Sequence, residues 1–109
     1  MKNIDFTVVK YRFYSDPGHG WLAVPKEHLQ QLGITNKITG YSYQKGKTAY
    51  LEEDCDATTL FNAIKERIGN PNLAFQDIYQ KTIHKTYSPI RNYDHYTGSS
   101  DVEYWEVYK

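Results

Sequence analysis

Only one cysteine, Cys55, occurs in the 109 residues. No internal disulfide can form, and no zinc site built on paired thiolates can be assembled. Such a chain suits a reducing compartment. Charge of one sign is lacking too: 13 Lys and Arg balance 13 Asp and Glu. Neither a general polyanion binder nor a strongly acidic mimic of DNA follows from total charge, and any electrostatic function must be local. No apolar run approaches the roughly 20 residues that cross a bilayer. The opening MKNIDFTVVK lacks the apolar stretch and small-residue cleavage site of a signal peptide. A cytoplasmic chain with no membrane partner is expected. Phenylalanine is scarce, at 4, whereas tyrosine reaches 11, a bias toward rings that pack on one side and hydrogen-bond on the other.

At this length one compact domain, residues 1–109, is the natural expectation. Ile4 to Tyr14 is rich in β-branched and aromatic residues and reads as a strand that changes face near Val8 and Val9. Ser15 to Gly20 holds Asp, Pro and two Gly, so the chain turns back into a second strand, Trp21 to Val24. Pro25 suits the first turn of a short helix over Lys26 to Leu32 that stops at Gly33. Ile38 to Glu53 reads as a hairpin about Gln44–Lys47, with Gly46 supplying a positive φ. A longer helix follows, N-capped by Asp54 or Asp56, with Ala57, Leu60, Phe61, Ile64 and Ile68 forming one apolar stripe before Gly69-Asn70-Pro71. Residues 72–100 have mixed periods and read as a Tyr-rich irregular excursion containing one stretch of β character, Tyr79 to His84. Val102 to Tyr108 alternates as a final strand with Trp105 and Val107 toward the core. The fold expected is α+β: an antiparallel sheet of four to five strands, with one short and one longer helix packed on one face.

Little here is arranged for catalysis. There is no G-x-S-x-G elbow, P-loop or dinucleotide fingerprint. His19, His28, His84 and His95 have no diagnostic partners in sequence. The run Glu52-Glu53-Asp54-Cys55-Asp56 gathers four carboxylates at a strand-to-helix junction. Oxygen-rich clusters suit hard cations, but the spacing is not that of an EF-hand loop, and helix capping with a solvated acidic edge accounts for it. Cys55 reads as a buried structural thiol. No cofactor, no metal and no catalytic residue is assigned, and the chain reads as more plausibly a non-enzyme.

Two regions stand out as candidate sites. Tyr79, Tyr87, Tyr93 and Tyr96 interleave with Lys81, His84, Lys85 and Arg91. Such pairing of cation and ring suits phosphate contact with base stacking, and equally a protein-binding surface. The second is a structural network or ligand site in which Asp16, His19 and Trp21 approach Glu53 and Asp54, provided the first hairpin pairs with the second. Self-association through an exposed sheet edge, either Ile4 to Tyr14 or Val102 to Tyr108, is a further expectation.

The run Asp16-Pro17-Gly18-His19-Gly20 is similar to the Asp-x-Gly-His-Gly run of zinc-dependent cell-wall amidases. That resemblance implies His19 as a metal ligand, with Glu27 and His84 or His95 completing the set. The chain is shorter than those enzymes and lacks their α/β alternation, so a turn built from Asp, Pro and Gly is the simpler reading. Over a longer stretch, SDPGHGWLAVP (Ser15 to Pro25), LGI (Leu32 to Ile34) and YSYQKGKTAYLEEDCDA (Tyr41 to Ala57) together resemble a family of small proteins from phages, plasmids and other mobile elements. The resemblance covers about the first 60 residues and brings no catalytic residues with it. It implies an accessory role: inhibition of a bacterial host defence protein or complex, of anti-CRISPR or anti-restriction type, in the host cytoplasm. The alternatives are a nucleic-acid-binding accessory protein and a metal-dependent hydrolase.

Overall fold

The computed structural model describes residues 3–98. In chain order these form β1 (Tyr11–Ser15), β2 (Gly20–Pro25), α1 (Lys26–Gln31), β3 (Tyr43–Lys45), β4 (Thr48–Glu52), α2 (Asp56–Ile68), β5 (Tyr79–His84) and β6 (Asp94–His95). Short 3-10 turns lie at Thr35–Lys37, Phe75–Asp77 and Pro89–Asn92. The fold is α+β, but the sheet has six strands in the order β5-β1-β2-β4-β3-β6 and is mixed, because β1 and β5 run parallel.

The position of α2 explains the departure from a purely antiparallel sheet. β4 is antiparallel to β2, and β2 to β1, so β4, β1 and β5 all point the same way. Strands with the same direction need a long crossover between them, usually helical, and α2 connects β4 to β5. Its thirteen residues carry the chain past β2 and β1 to the far edge. The stripe read from the sequence faces the sheet: Ala57, Leu60 and Ile64 are fully buried. With Leu29 of α1 they cover Leu22 and Val24 of β2 and Ala49 and Leu51 of β4. Burying a side chain of this size contributes about 1.5–3 kcal/mol.

Several local expectations are corrected. The first strand starts at Tyr11, not Ile4. Asp5 Oδ1 accepts from Thr7 N at 2.9 Å and Val8 N donates to Asp5 O at 3.3 Å, a turn that breaks the extended run and tucks Phe6 into the core. β1 is an inner strand, so Ile4 to Tyr14 is not an exposed edge; the edges among the described residues are β5 and β6. The hairpin is tighter than expected. Lys45 pairs with Thr48 around Gly46, which has φ 59°, while residues 38–42 are a loop. Cys55, not an Asp, is the N-cap of α2, makes no side-chain cap bond, and is exposed rather than buried. The expected excursion over 72–98 holds β5, β6 and two 3-10 turns. The strand read over Val102 to Tyr108 lies outside the described residues.

Candidate functional site

Side chains alternate across a strand, so a sheet with two helices on one face presents the other as a second surface. In register across that open face run Lys81, Arg12, Ala23, Tyr50, Tyr43 and His95. The next row holds Ile83, Tyr14, Trp21 and Glu52. The tyrosines that the composition flagged form a contiguous layer here: Tyr14 meets Tyr50 with ring centres 6.0 Å apart, Tyr50 meets Tyr93 at 5.2 Å, and Trp21 meets Tyr43 at 6.2 Å. His95 stacks on Tyr43 at 4.8 Å.

One side of this layer is held by the turn between β1 and β2. Asp16, 6% exposed, accepts from Gly18 N at 3.0 Å and His19 N at 3.1 Å. It also receives both arms of the Arg91 guanidinium, Nε at 2.6 Å and Nη2 at 2.7 Å, and Ser88 N at 3.1 Å. A two-pronged charged pair of this kind is geometrically specific. The Arg91 guanidinium holds the Asp16 carboxyl well below the usual carboxylate range, against the opposing effect of desolvation, and Asp16 in turn raises the pKa of Arg91. Five donors converge on one carboxylate, so the strap over residues 85–93 is tied across the open face. Arg91 itself lies 5.6 Å from the rings of both Trp21 and Tyr87. Arg91 also passes close over Gly18, where a Cβ would sit 2.8 Å from Nη2 and the guanidinium would have to shift.

The other side is held by Asp56. It is fully buried at the start of α2, yet its carboxylate turns away from its own helix. It accepts from Thr39 N at 3.0 Å, Thr39 Oγ1 at 2.8 Å and Ser42 Oγ. Ser42 Oγ then accepts from Glu52 N at 2.9 Å, and Ser42 O accepts from Tyr96 N at 2.9 Å. His95 Nδ1 donates to Gly40 O at 2.7 Å, which fixes the ring that stacks on Tyr43. This network sets the loop that carries Tyr41 and leads into Tyr43 at the start of β3.

Between the two anchors lies a groove of about 440 Å³, within the size range of ligand sites. Trp21, Tyr41, Tyr43 and His95 supply rings, Glu52 and Asp54 supply carboxylates, and His19, Cys55 and Arg91 complete the wall. Glu53 adjoins it, its backbone N donating to Gly20 O at 3.0 Å. Burial pushes the Glu53 carboxyl up, Asp54 and Glu52 add to that, and His19 opposes it. A larger hollow of about 590 Å³ runs between α2 and the segment that follows α1, beside Leu32, Thr59 and Glu66, away from these rings.

Compared with protein-family models, curated proteins and solved structures, the chain matches none.

The candidate residues read from the sequence divide between several surroundings. Of the five residues read as one network, His19, Trp21 and Asp54 line the groove, whereas Asp16 is engaged by Arg91 and the Glu53 carboxylate lies beside Gly20 and Phe13. The C-terminal set does not form one patch. Tyr79 packs between Phe13 and Phe75 at the rim of the core. Tyr96 is 5% exposed and donates to Thr35 O at 2.9 Å. His84 Nδ1 meets Ser15 Oγ at 3.0 Å, and Lys85 N donates to Ser15 O at 2.9 Å. Lys81 faces outward on β5, at the far end of the row from His95. Tyr87, Arg91 and Tyr93 belong to the strap, with Lys45 Nζ 4.9 Å from the Tyr93 ring. Sequence reasoning missed Tyr14, Tyr41, Tyr43 and Tyr50, and it considered His95 and Glu52 only as metal ligands or a solvated edge, not as part of this groove. Strand alternation places Tyr43 and Glu52 on one face of their hairpin, which is the signal that could have found those two.

The metal set implied by the amidase resemblance is not assembled. His19 precedes β2 and Glu27 follows it, so the strand's length, about 3.3 Å per residue, separates them. Among the described residues no three His, Cys, Asp or Glu side chains gather in a way that could hold a metal ion.

Proposed function

We propose that this chain is a non-catalytic binding protein that engages a protein partner through the groove on the open face of its sheet. The observation that carries the reading is a ring-lined groove whose two flanks are fixed by buried carboxylates, Asp16 and Asp56, both occupied with internal donors. Aromatic side chains held in place supply large contact area at low ordering cost, the pattern of protein-binding hot spots. The likeness of the DPGHGWL, YSY and YLEEDCDA segments to mobile-element proteins supports an accessory role, with a bacterial defence protein or complex as the target.

The test is affinity capture from phage- or plasmid-bearing bacterial lysate, with mass spectrometry, using the native chain and a Tyr41→Ala/Tyr43→Ala variant. A stoichiometric complex retained by the native chain and lost by the variant is expected. Recovery of nothing at micromolar protein, or equal recovery by both, overturns the reading. A nucleic-acid-binding role is favoured by one observation of its own: Arg12 and Lys81 are neighbours in register beside Tyr14 and Tyr50. It requires a DNA or RNA complex whose affinity falls steeply with salt; a salt-independent or absent shift removes it.

A further inference from the structure

We propose that the groove takes a basic side chain, an arginine or lysine projecting from the partner protein; this rests on the binding reading above and names what enters the site. Cations are drawn to the faces of aromatic rings within about 6 Å, and the groove offers Tyr43, the His95 stacked on it at 4.8 Å, and Tyr41, which is 76% exposed. Its rim is acidic, with Glu52 and Asp54 in the wall. Both carboxylates lie at the end of β4 and in the residues just after it, beside the Trp21 that pairs with Glu52 in the sheet.

The wall also contains a cation, Arg91, and charge balance decides what it does. Its Nε–Nη2 edge is directed at Asp16, at 2.6 and 2.7 Å, in a two-pronged pair. Its charge is therefore matched inside the protein, and its remaining face rests on Trp21 and Tyr87. With Arg91 neutralised, Glu52 and Asp54 set the sign of the opening. A phosphate or carboxylate ligand would meet repulsion there, whereas a guanidinium or ammonium finds rings on one side and carboxylates on the other. Arginine fits best, because its planar group stacks on a ring while its edge donates to carboxylates.

Nuclear magnetic resonance with small probes tests this directly. The probes are N-acetyl-Gly-Arg-Gly-amide, its lysine and glutamate counterparts, and uridine monophosphate, added to the native chain. The arginine and lysine peptides are expected to shift the Trp21 indole and His95 ring signals, and the other two to leave them in place. Glu52→Gln/Asp54→Asn should weaken the arginine peptide by about two- to fivefold, the size of a charge pair at a surface, while Lys81→Ala leaves it unchanged. Asp54→Asn alone, at an exposed position, gives the same direction should the double variant fold poorly. No shift with the arginine peptide, a shift indifferent to the acidic substitutions, or preference for the mononucleotide overturns the proposal. A chain that captures its partner through Tyr41 and Tyr43 yet ignores the basic peptides loses this inference alone; one that captures nothing loses the binding reading itself.

Discussion

Replacing Asp56 by asparagine keeps the side chain's shape and changes its hydrogen-bonding sense. The native carboxylate accepts from Thr39 N, Thr39 Oγ1 and Ser42 Oγ, all toward a fully buried position. An asparagine oxygen can still accept, but its amide must then face one of these donors. Hydrogen bonds to a charged group contribute about 1.5–3 kcal/mol each, and a buried donor left without a partner costs about 1–3 kcal/mol. Loss of the negative charge at the first turn of α2 removes a further ~0.5 kcal/mol of dipole interaction. Asp56→Asn should therefore cost about 2–4 kcal/mol, and Asp56→Ala, which strands every donor, somewhat more. Against a total stability of about 5–15 kcal/mol, this is a large fraction. Equilibrium urea unfolding followed by circular dichroism reads it as a lowered midpoint. Ser42→Ala should couple to Asp56→Asn, since Ser42 Oγ links Asp56 to the Glu52 amide. An asparagine variant within about 0.5 kcal/mol of the native chain, or strict additivity of the two substitutions, would refute the argument that one buried carboxylate organises the loop.

Acid should weaken the Asp16 clamp in a defined direction. A carboxyl whose folded pKa lies below its ordinary 3.8 contributes stability that is fully present above that value and is lost as the pH falls from there toward the folded value. The native chain should show a steep loss of its urea midpoint below about pH 4, and Arg91→Gln, less stable at neutral pH, a shallower one; parallel curves would show that the pair is not the cause. The two glycines of the turn should differ. A Cβ at Gly20 would lie 2.3 Å from Phe13 Cζ, a ring held in the core wall, whereas at Gly18 it meets the end of the flexible Arg91 side chain at 2.8 Å. Gly20→Ala should cost about 1–3 kcal/mol by overpacking and Gly18→Ala less, measured by thermal unfolding; the reverse order would contradict the packing described.

Elements with a strong local period were legible in the chain. The stripe Leu60, Phe61, Ile64, Ile68 specifies α2, and Gly69 with φ 64° ends it as the spacing implies. Gly46 marks the tight hairpin, and the Asp-Pro-Gly turn leads into β2. What escaped reading depends on partners far away in sequence. Asp56 resembles a helix cap when only its neighbours are considered, and its donors lie 14 and 17 residues upstream in a loop. Arg91 resembles a surface cation until its partner, 75 residues earlier, is known. β5 has weak alternation because it is an edge strand whose pairing with β1 shifts register between Tyr11 and Arg12. The groove carries no local motif, since its walls come from five separate stretches of chain.

The two anchors have a common logic that bears on binding. Each buried carboxylate gathers backbone amides and side chains from a segment with little regular structure, the strap at 85–93 or the loop at 38–42, and fixes it against the sheet. Those segments carry Arg91, Tyr93 and Tyr41, which frame the open face. A partner meeting rings already held in place gives up less conformational freedom on docking than one that must order them. The acidic residues therefore act twice in this chain. Asp16 and Asp56 are withdrawn from solvent to fix the walls, and Glu52 and Asp54 remain at the rim, where their charge selects what enters. On this argument, loosening either anchor should weaken binding even though neither carboxylate touches the partner, and the Asp56→Asn variant, tested in the same capture experiment, separates positioning from contact. Retained binding with the loop loosened would mean that the rings do not need to be held in place.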